Sequence, residues 1–223
     1  MSYMEPIPFI HRENSRARSV KISLDEQGNV IVTTPPRFLA SRIPPFVEQA
    51  RSWIKIHQEQ LVHRPILLDA HSVLYFGTPY DFVVHPHKTG QVQVGISTIE
   101  IAPVDSSERG IMTSMEKWLK NRAIEYIIPR TKKLSEAMRT EYNQVHFREQ
   151  KTRWGSCSSD KNLNFNWRLI HAPKAVIDYV IIHELSHTVH MNHGSRFWEL
   201  VAHYDPDHPL HRGWLKRFGG EEG

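Results

Sequence analysis

His183-Glu184-Leu185-Ser186-His187 sets two imidazoles four residues apart, with a carboxylate directly after the first. In a helix, residues at this spacing stand one turn apart on the same face. Both rings can then converge on one ion at metal–nitrogen distances of about 2.0–2.1 Å. Glu184 lies about 100° around the helix from His183, which puts its carboxylate beside such an ion as a base rather than on it. The spacing is the HExxH pattern of zinc sites.

Such a zinc ion needs a third protein ligand. His190 shares the face of His183 but lies about 10 Å further along an unbroken helix, too far for one tetrahedral ion. His193 reaches the ion if the chain leaves the helix after about His190 and doubles back. Asn192 and Gly194 tolerate the left-handed backbone that such a turn uses. The spacing 183, 187, 193 equals that of the HExxHxxGxxH pattern, although His190 stands at its glycine position. Glu199, on the following helical stretch SRFWELVAHY, is the competing ligand; the spacing favours His193. His203, His208 and His211 are expected at the surface of a short helical tail. Cys157 with a distant histidine is a possible nucleophilic pair, but a zinc site already accounts for the histidines.

These side chains need a rigid carrier. Pro173 opens a helix in which Val176, Ile177, Val180, Ile181 and Leu185 provide buried sides. Upstream, Ser19 to Pro36 alternates apolar and polar residues around a Gly-containing turn and reads as a hairpin. Ser41 to Leu61 follows as one amphipathic helix. Ser72 to His85 and Gln91 to Pro103 give four more short strands of a small, mostly antiparallel sheet. Ser106 to Asn143 is rich in helix formers, with Pro129 expected to kink or break the helix. From Val145 the chain reads as a strand, a Ser/Gly/Asp-rich loop and another strand. The fold class is α+β, with a sheet-rich region over residues 1–103 and a catalytic region over residues 104–223, together one compact catalytic unit.

Composition narrows the function. At 223 residues with 39% hydrophobic and 23% charged side chains, the chain is neither disordered nor membrane-embedded. It has neither a spanning apolar run nor a signal-peptide core, so a cytoplasmic protein with no membrane partner is expected. One cysteine excludes an internal disulfide and a Cys-rich zinc knuckle. A net charge of +4, with scattered cations, permits an anionic partner such as nucleic acid without requiring one.

Lys151 to Leu169, KTRWGSCSSDKNLNFNWRL, joins Trp154 and Trp167 to several cations. The tryptophans read as packing under the metal helix, while Lys151, Arg153 and Arg168 divide evenly between solvated and substrate-facing roles. RWGSCSS, NFNWRLIHAP and IDYVIIHELSHTVHMNHGSRFW together resemble the YgjP-like zinc metallopeptidase family, most specifically from Arg148 to Trp198. The resemblance implies a zincin-like α+β domain, zinc held by His183, His187 and His193, and Glu184 as catalytic base. It implies a peptide or protein substrate, or alternatively a nucleoside triphosphate such as UTP, hydrolysed with release of pyrophosphate; binding its phosphates would call for an additional hard cation such as Mg2+. A zinc-stabilised binding module is the non-enzymatic alternative, disfavoured because Glu184 is surplus to a structural site.

Overall fold

A computed structural model describes residues 5–25, 28–62, 67–69, 71–85, 90–149 and 153–218. By backbone contacts the chain divides into two compact units, Met1–Arg64 and Pro65–Gly223. The strands of residues 72–102 thus fall in the same unit as the histidine motif.

In the first unit, β1 (Phe9–Glu13), β2 (Lys21–Leu24) and β3 (Val30–Thr34) form a sheet in the order β1-β3-β2. The hairpin expected from the alternating pattern is present, with β2 antiparallel to β3, while β1 runs parallel to β3. Its turn lies partly outside the described residues. Val30 and Val32 share one face of the sheet, as period-2 geometry requires, and cluster with Ile43, Val47 and Ile54. The expected single helix is instead two, α1 (Ile43–Gln49) and α2 (Arg51–Val62), separated at Ala50. The Ala50 amide donates back to the Val47 and Glu48 carbonyls, closing α1 before α2 begins. Hydrophobic periodicity cannot resolve a break of one residue.

The second unit carries a sheet in the order β4-β5-β7-β6, from β4 (Ser72–Tyr75), β5 (Thr78–Val84), β6 (Gln91–Val94) and β7 (Thr98–Ala102). All four expected strands are present; β5 pairs parallel to β7, and the other two pairings are antiparallel. Next comes α3 (Glu108–Met138), capped by the Ser107 hydroxyl, which accepts from the Gly110 amide. It runs through Pro129 without a break. Met115, Leu119, Ala123, Ile127, Thr131 and Ser135 form its buried stripe, and both Pro129 and Glu125, whose carbonyl the proline leaves unpaired, lie on the exposed side. Water can serve that carbonyl, so the helix continues.

β8 (Val145–Arg148), β9 (Gly155–Cys157) and β10 (Leu163–Asn166) make a third sheet in the order β8-β10-β9. The Ser/Gly/Asp-rich loop thus contains a strand of its own, β9, antiparallel to β10. A 3-10 turn at Trp167–His171 leads into α4 (Lys174–His187), followed by α5 (Ser195–Tyr204) and α6 (His208–Arg217). Among the described residues, six α-helices and three sheets make the α+β class expected. No helix of these residues is long and apolar enough to cross a membrane.

The start of α4 is fixed from the β4–β5 turn. The Phe76 and Gly77 amides donate to the Ile170 and His171 carbonyls, both at 2.9 Å. Gly77 has φ of +80°, and a Cβ there would stand 2.6 Å from the Pro173 ring. Only glycine permits both the turn and the close approach.

Candidate metal centre

Every residue of α4 from Tyr179 to His187 is buried. Such a helix lies inside a core rather than on its surface. His183 is 1% exposed, His187 6% and Glu184 1%. Burying three polar side chains in one and a half turns is costly without partners or a ligand. At its other end α4 is tied to α3: the Arg130 guanidinium grips the Asp178 carboxylate through two bonds of 2.6 and 2.7 Å.

The helix ends at His187, three residues before the expected exit. Amides of Val189 and His190 donate to the Ser186 carbonyl, and Thr188 folds both its amide and hydroxyl back onto Leu185. Residues 188–194 then reverse the chain with no positive φ among them, and Gly194 itself has φ −77°. The left-handed turn expected at Asn192 or Gly194 is not used, because the early exit leaves enough chain for a wider reversal.

This reversal brings His193 back against the helix. Its Nε2 stands 3.1 Å from Nε2 of His183, and the ring donors of His183, His187 and His193 all lie within 4.8 Å of one another. Two donors of a tetrahedral zinc site are about 3.3 Å apart, given bonds of about 2.0–2.1 Å. The cluster therefore fits a single ion of that kind. The His190 carbonyl lies 3.2 Å from Nδ1 of His187 and takes that proton, which leaves Nε2 as the ring's lone-pair nitrogen. Burial, then the neighbouring His193, lowers the pKa of His187 and favours the neutral form that a ligand needs. The His190 side chain is outside the cluster, although it lies beyond the helix end and not along an unbroken helix. Glu199 is exposed on α5 and is likewise outside it.

Phe197, fully buried, sets its ring 4.6–4.9 Å from each of the three imidazoles. The neighbouring Trp198 ring stacks on His193 at 5.7 Å and an interplanar angle of 23°. His203 is exposed as expected, whereas His208 and His211 are partly buried. His208 is half-buried and stacks on Trp198 and Tyr179. His211 lies against Tyr179 and bonds the buried Asp205 at 2.7 Å. Exposure of the tail was inferred from a short, polar stretch, and packing of α6 on α4 overrides it.

Gly155 is the residue that sequence reading missed. A Cβ there would come within 2.5 Å of Oε1 and 2.8 Å of Cγ of Glu184, so strand β9 passes directly against the carboxylate. The only local signal was a glycine between Trp154 and Ser156 in a stretch read as loop. Cys157, two residues on, has its thiol pushed up to about 11 by burial and by the Glu184 charge, with Lys161 opposing. A thiol held protonated in this way is no nucleophile near neutral pH.

Trp154 and Trp167 are buried in the same core as α4, matching the packing role expected. Arg168 is engaged elsewhere: it pairs with Glu149 at 2.8 Å and lies over the Trp167 ring at 5.1 Å. Arg153 is exposed. Lys151 lies outside the described residues.

None of the curated proteins matches this chain. Among solved structures, the metallopeptidase zymogen of Pyrococcus abyssi abylysin is similar, with 15% identity, a TM-score of 0.41, and 44% of this chain and 99% of that chain covered. The family model described as YgjP-like, metallopeptidase domain, matches residues 18–218, nearly the whole sequence. The chain that folds these three histidines together belongs to the YgjP-like metallopeptidase family.

Proposed function

We propose that the protein is a zinc-dependent peptidase, with His183, His187 and His193 as the metal ligands and Glu184 as the general base. The observation that carries this reading is the convergence of three imidazoles, two of them on the helix that also carries the buried carboxylate of Glu184. Three neutral nitrogens with no thiolate suit zinc, and three protein ligands leave a fourth position open, as catalytic rather than structural sites do. When bound there, zinc supplies a Lewis acid and lowers the pKa of a coordinated water to about 7.

The chain's own residues do the rest. Glu184 takes the proton of the attacking water and passes it to the departing amine. Burial and the close approach of Gly155 limit the room of its carboxylate. Strand β9 ends its sheet and, among the described residues, has one ladder edge without a partner strand, along which an extended peptide can pair with little side-chain selection. This geometry supports a peptide or protein substrate, in keeping with the family's description.

The test is a parallel assay of zinc content and hydrolysis for the native protein and Glu184→Gln, on denatured proteins and on the four ribonucleoside triphosphates. The native protein should cleave polypeptide. Glu184→Gln should keep its zinc and lose activity by about 10²–10⁴-fold. Undiminished turnover in the zinc-loaded variant removes the base role, and pyrophosphate release without proteolysis overturns the peptidase reading.

A further inference from the structure

His193 differs from the other two imidazoles in having no helix beneath it, and its surroundings are aromatic. Phe197 meets it edge-on at 90°, and Trp198 lies nearly parallel to it. Trp198 is itself held from α6: the His208 ring stacks on it at 5.5 Å and 22°, and the Arg212 guanidinium lies over it at 5.1 Å. His208 also stacks on Tyr179 at 6.4 Å and 18°, and Tyr179 meets His183 edge-on at 5.9 Å. The Nδ1 of His208 is buried with no hydrogen-bond partner among the described residues, so ring contacts position this side chain. A helix beginning fifteen residues beyond His193 thus reaches two members of the cluster through one intermediate ring each.

We propose that Trp198 is the positioning residue of His193 and that His208, on α6, sets the orientation of Trp198, so the tail helix tunes metal affinity without supplying a ligand. This rests on the three-histidine reading above. The physical reason is preorganisation. An exposed imidazole on an irregular segment samples several rotamers, and each must be given up when an ion binds. A stacked indole removes those alternatives beforehand. A guanidinium over the indole adds cation–π attraction that holds the indole in its turn.

Zinc affinity, measured by competition with a chromophoric chelator, and the visible spectrum of the Co2+-loaded protein test this. Trp198→Leu fills space without a stacking face and should weaken zinc binding by about 10–100-fold, the usual range for residues that orient ligands. Trp198→Phe, which keeps a ring, should restore most of that loss. His208→Leu, at a half-buried position where the fold tolerates change, should weaken binding by less than Trp198→Leu while leaving one ion per chain and an intense tetrahedral Co2+ spectrum. Zinc affinity within twofold of native in both Leu variants overturns the proposal. So does a Co2+ spectrum in His208→Leu that reports a lost ligand, since His208 would then bind the ion itself. If the native protein takes up no zinc, the three-histidine site falls and this inference with it; native binding with unaffected Leu variants removes the inference alone.

Discussion

His183 and His187 stand on a stretch of helix in which every residue is buried, whereas His193 is exposed in a segment with neither helix nor strand. Close packing around α4 leaves the first two rings few alternatives, because turning either would open a void or force a clash. His193 has no such packing and is held by ring contacts, to Phe197 and Trp198 beside it and to the other two imidazoles. The contrast teaches that one histidine cluster can combine two kinds of member: a pair prearranged by folding, and a third whose placement depends on a few ring contacts.

Removing ligands tests that contrast most strongly. His187→Ala should lower zinc affinity on the order of a thousandfold or more, because bound zinc is worth about 10–16 kcal/mol spread over a few ligands. It should also destabilise the metal-free fold by about 1–3 kcal/mol, as buried polar side chains do when truncated. His193→Ala should weaken zinc binding while leaving metal-free stability within about 0.5 kcal/mol. Chelator competition and urea denaturation separate the two effects; equal destabilisation by both variants would break the comparison.

The rigid side of the site has a pH signature at its base. His171, just before α4, is held at about 4, below the ordinary 6.5, by burial, with a hydrogen bond to the Leu74 carbonyl opposing the shift. Between these values the unfolded chain binds the extra proton, so the stabilisation is complete above about pH 6.5 and is lost as pH falls toward 4. The loss should reach about 3 kcal/mol. Urea midpoints of the metal-free protein across this window, with His171→Gln as reference, measure it: the variant should show a shallower decline.

A smaller effect is expected at the contact between β9 and Glu184. Gly155→Ala should cost about 1–3 kcal/mol through overpacking and reduce turnover with zinc retained. Wild-type stability and activity together would mean that the carboxylate has room to move. Least affected is Arg168→Ala, which removes a partly exposed ion pair and should change stability by less than about 1 kcal/mol. A raised KM at unchanged stability would place Arg168 on the substrate path.

Legibility followed the range of the forces involved. The β2–β3 hairpin, the four strands of the second sheet and the start of α4 are written in local alternation and turn residues, and they fold as read. Ala50 and Pro129 show opposite limits of reading a helix break from sequence. One breaks the helix with no sequence warning; the other warns of a break that its exposed helix face averts. Gly155 was invisible because its meaning lies in Glu184, twenty-nine residues later in the chain.

From sequence alone came the pair His183 and His187 with Glu184 between them, since helical geometry turns a spacing of four into a shared face. The same spacing argument favoured His193 over Glu199. Tertiary structure decided how His193 arrives, through an early helix exit and a reversal without left-handed residues. It also decided what surrounds the cluster: Phe197 beneath the rings, Trp198 and α6 beside them, and Gly155 against Glu184. Those contacts join residues far apart in the chain, and no local pattern encodes a distance that exists only after the core has closed.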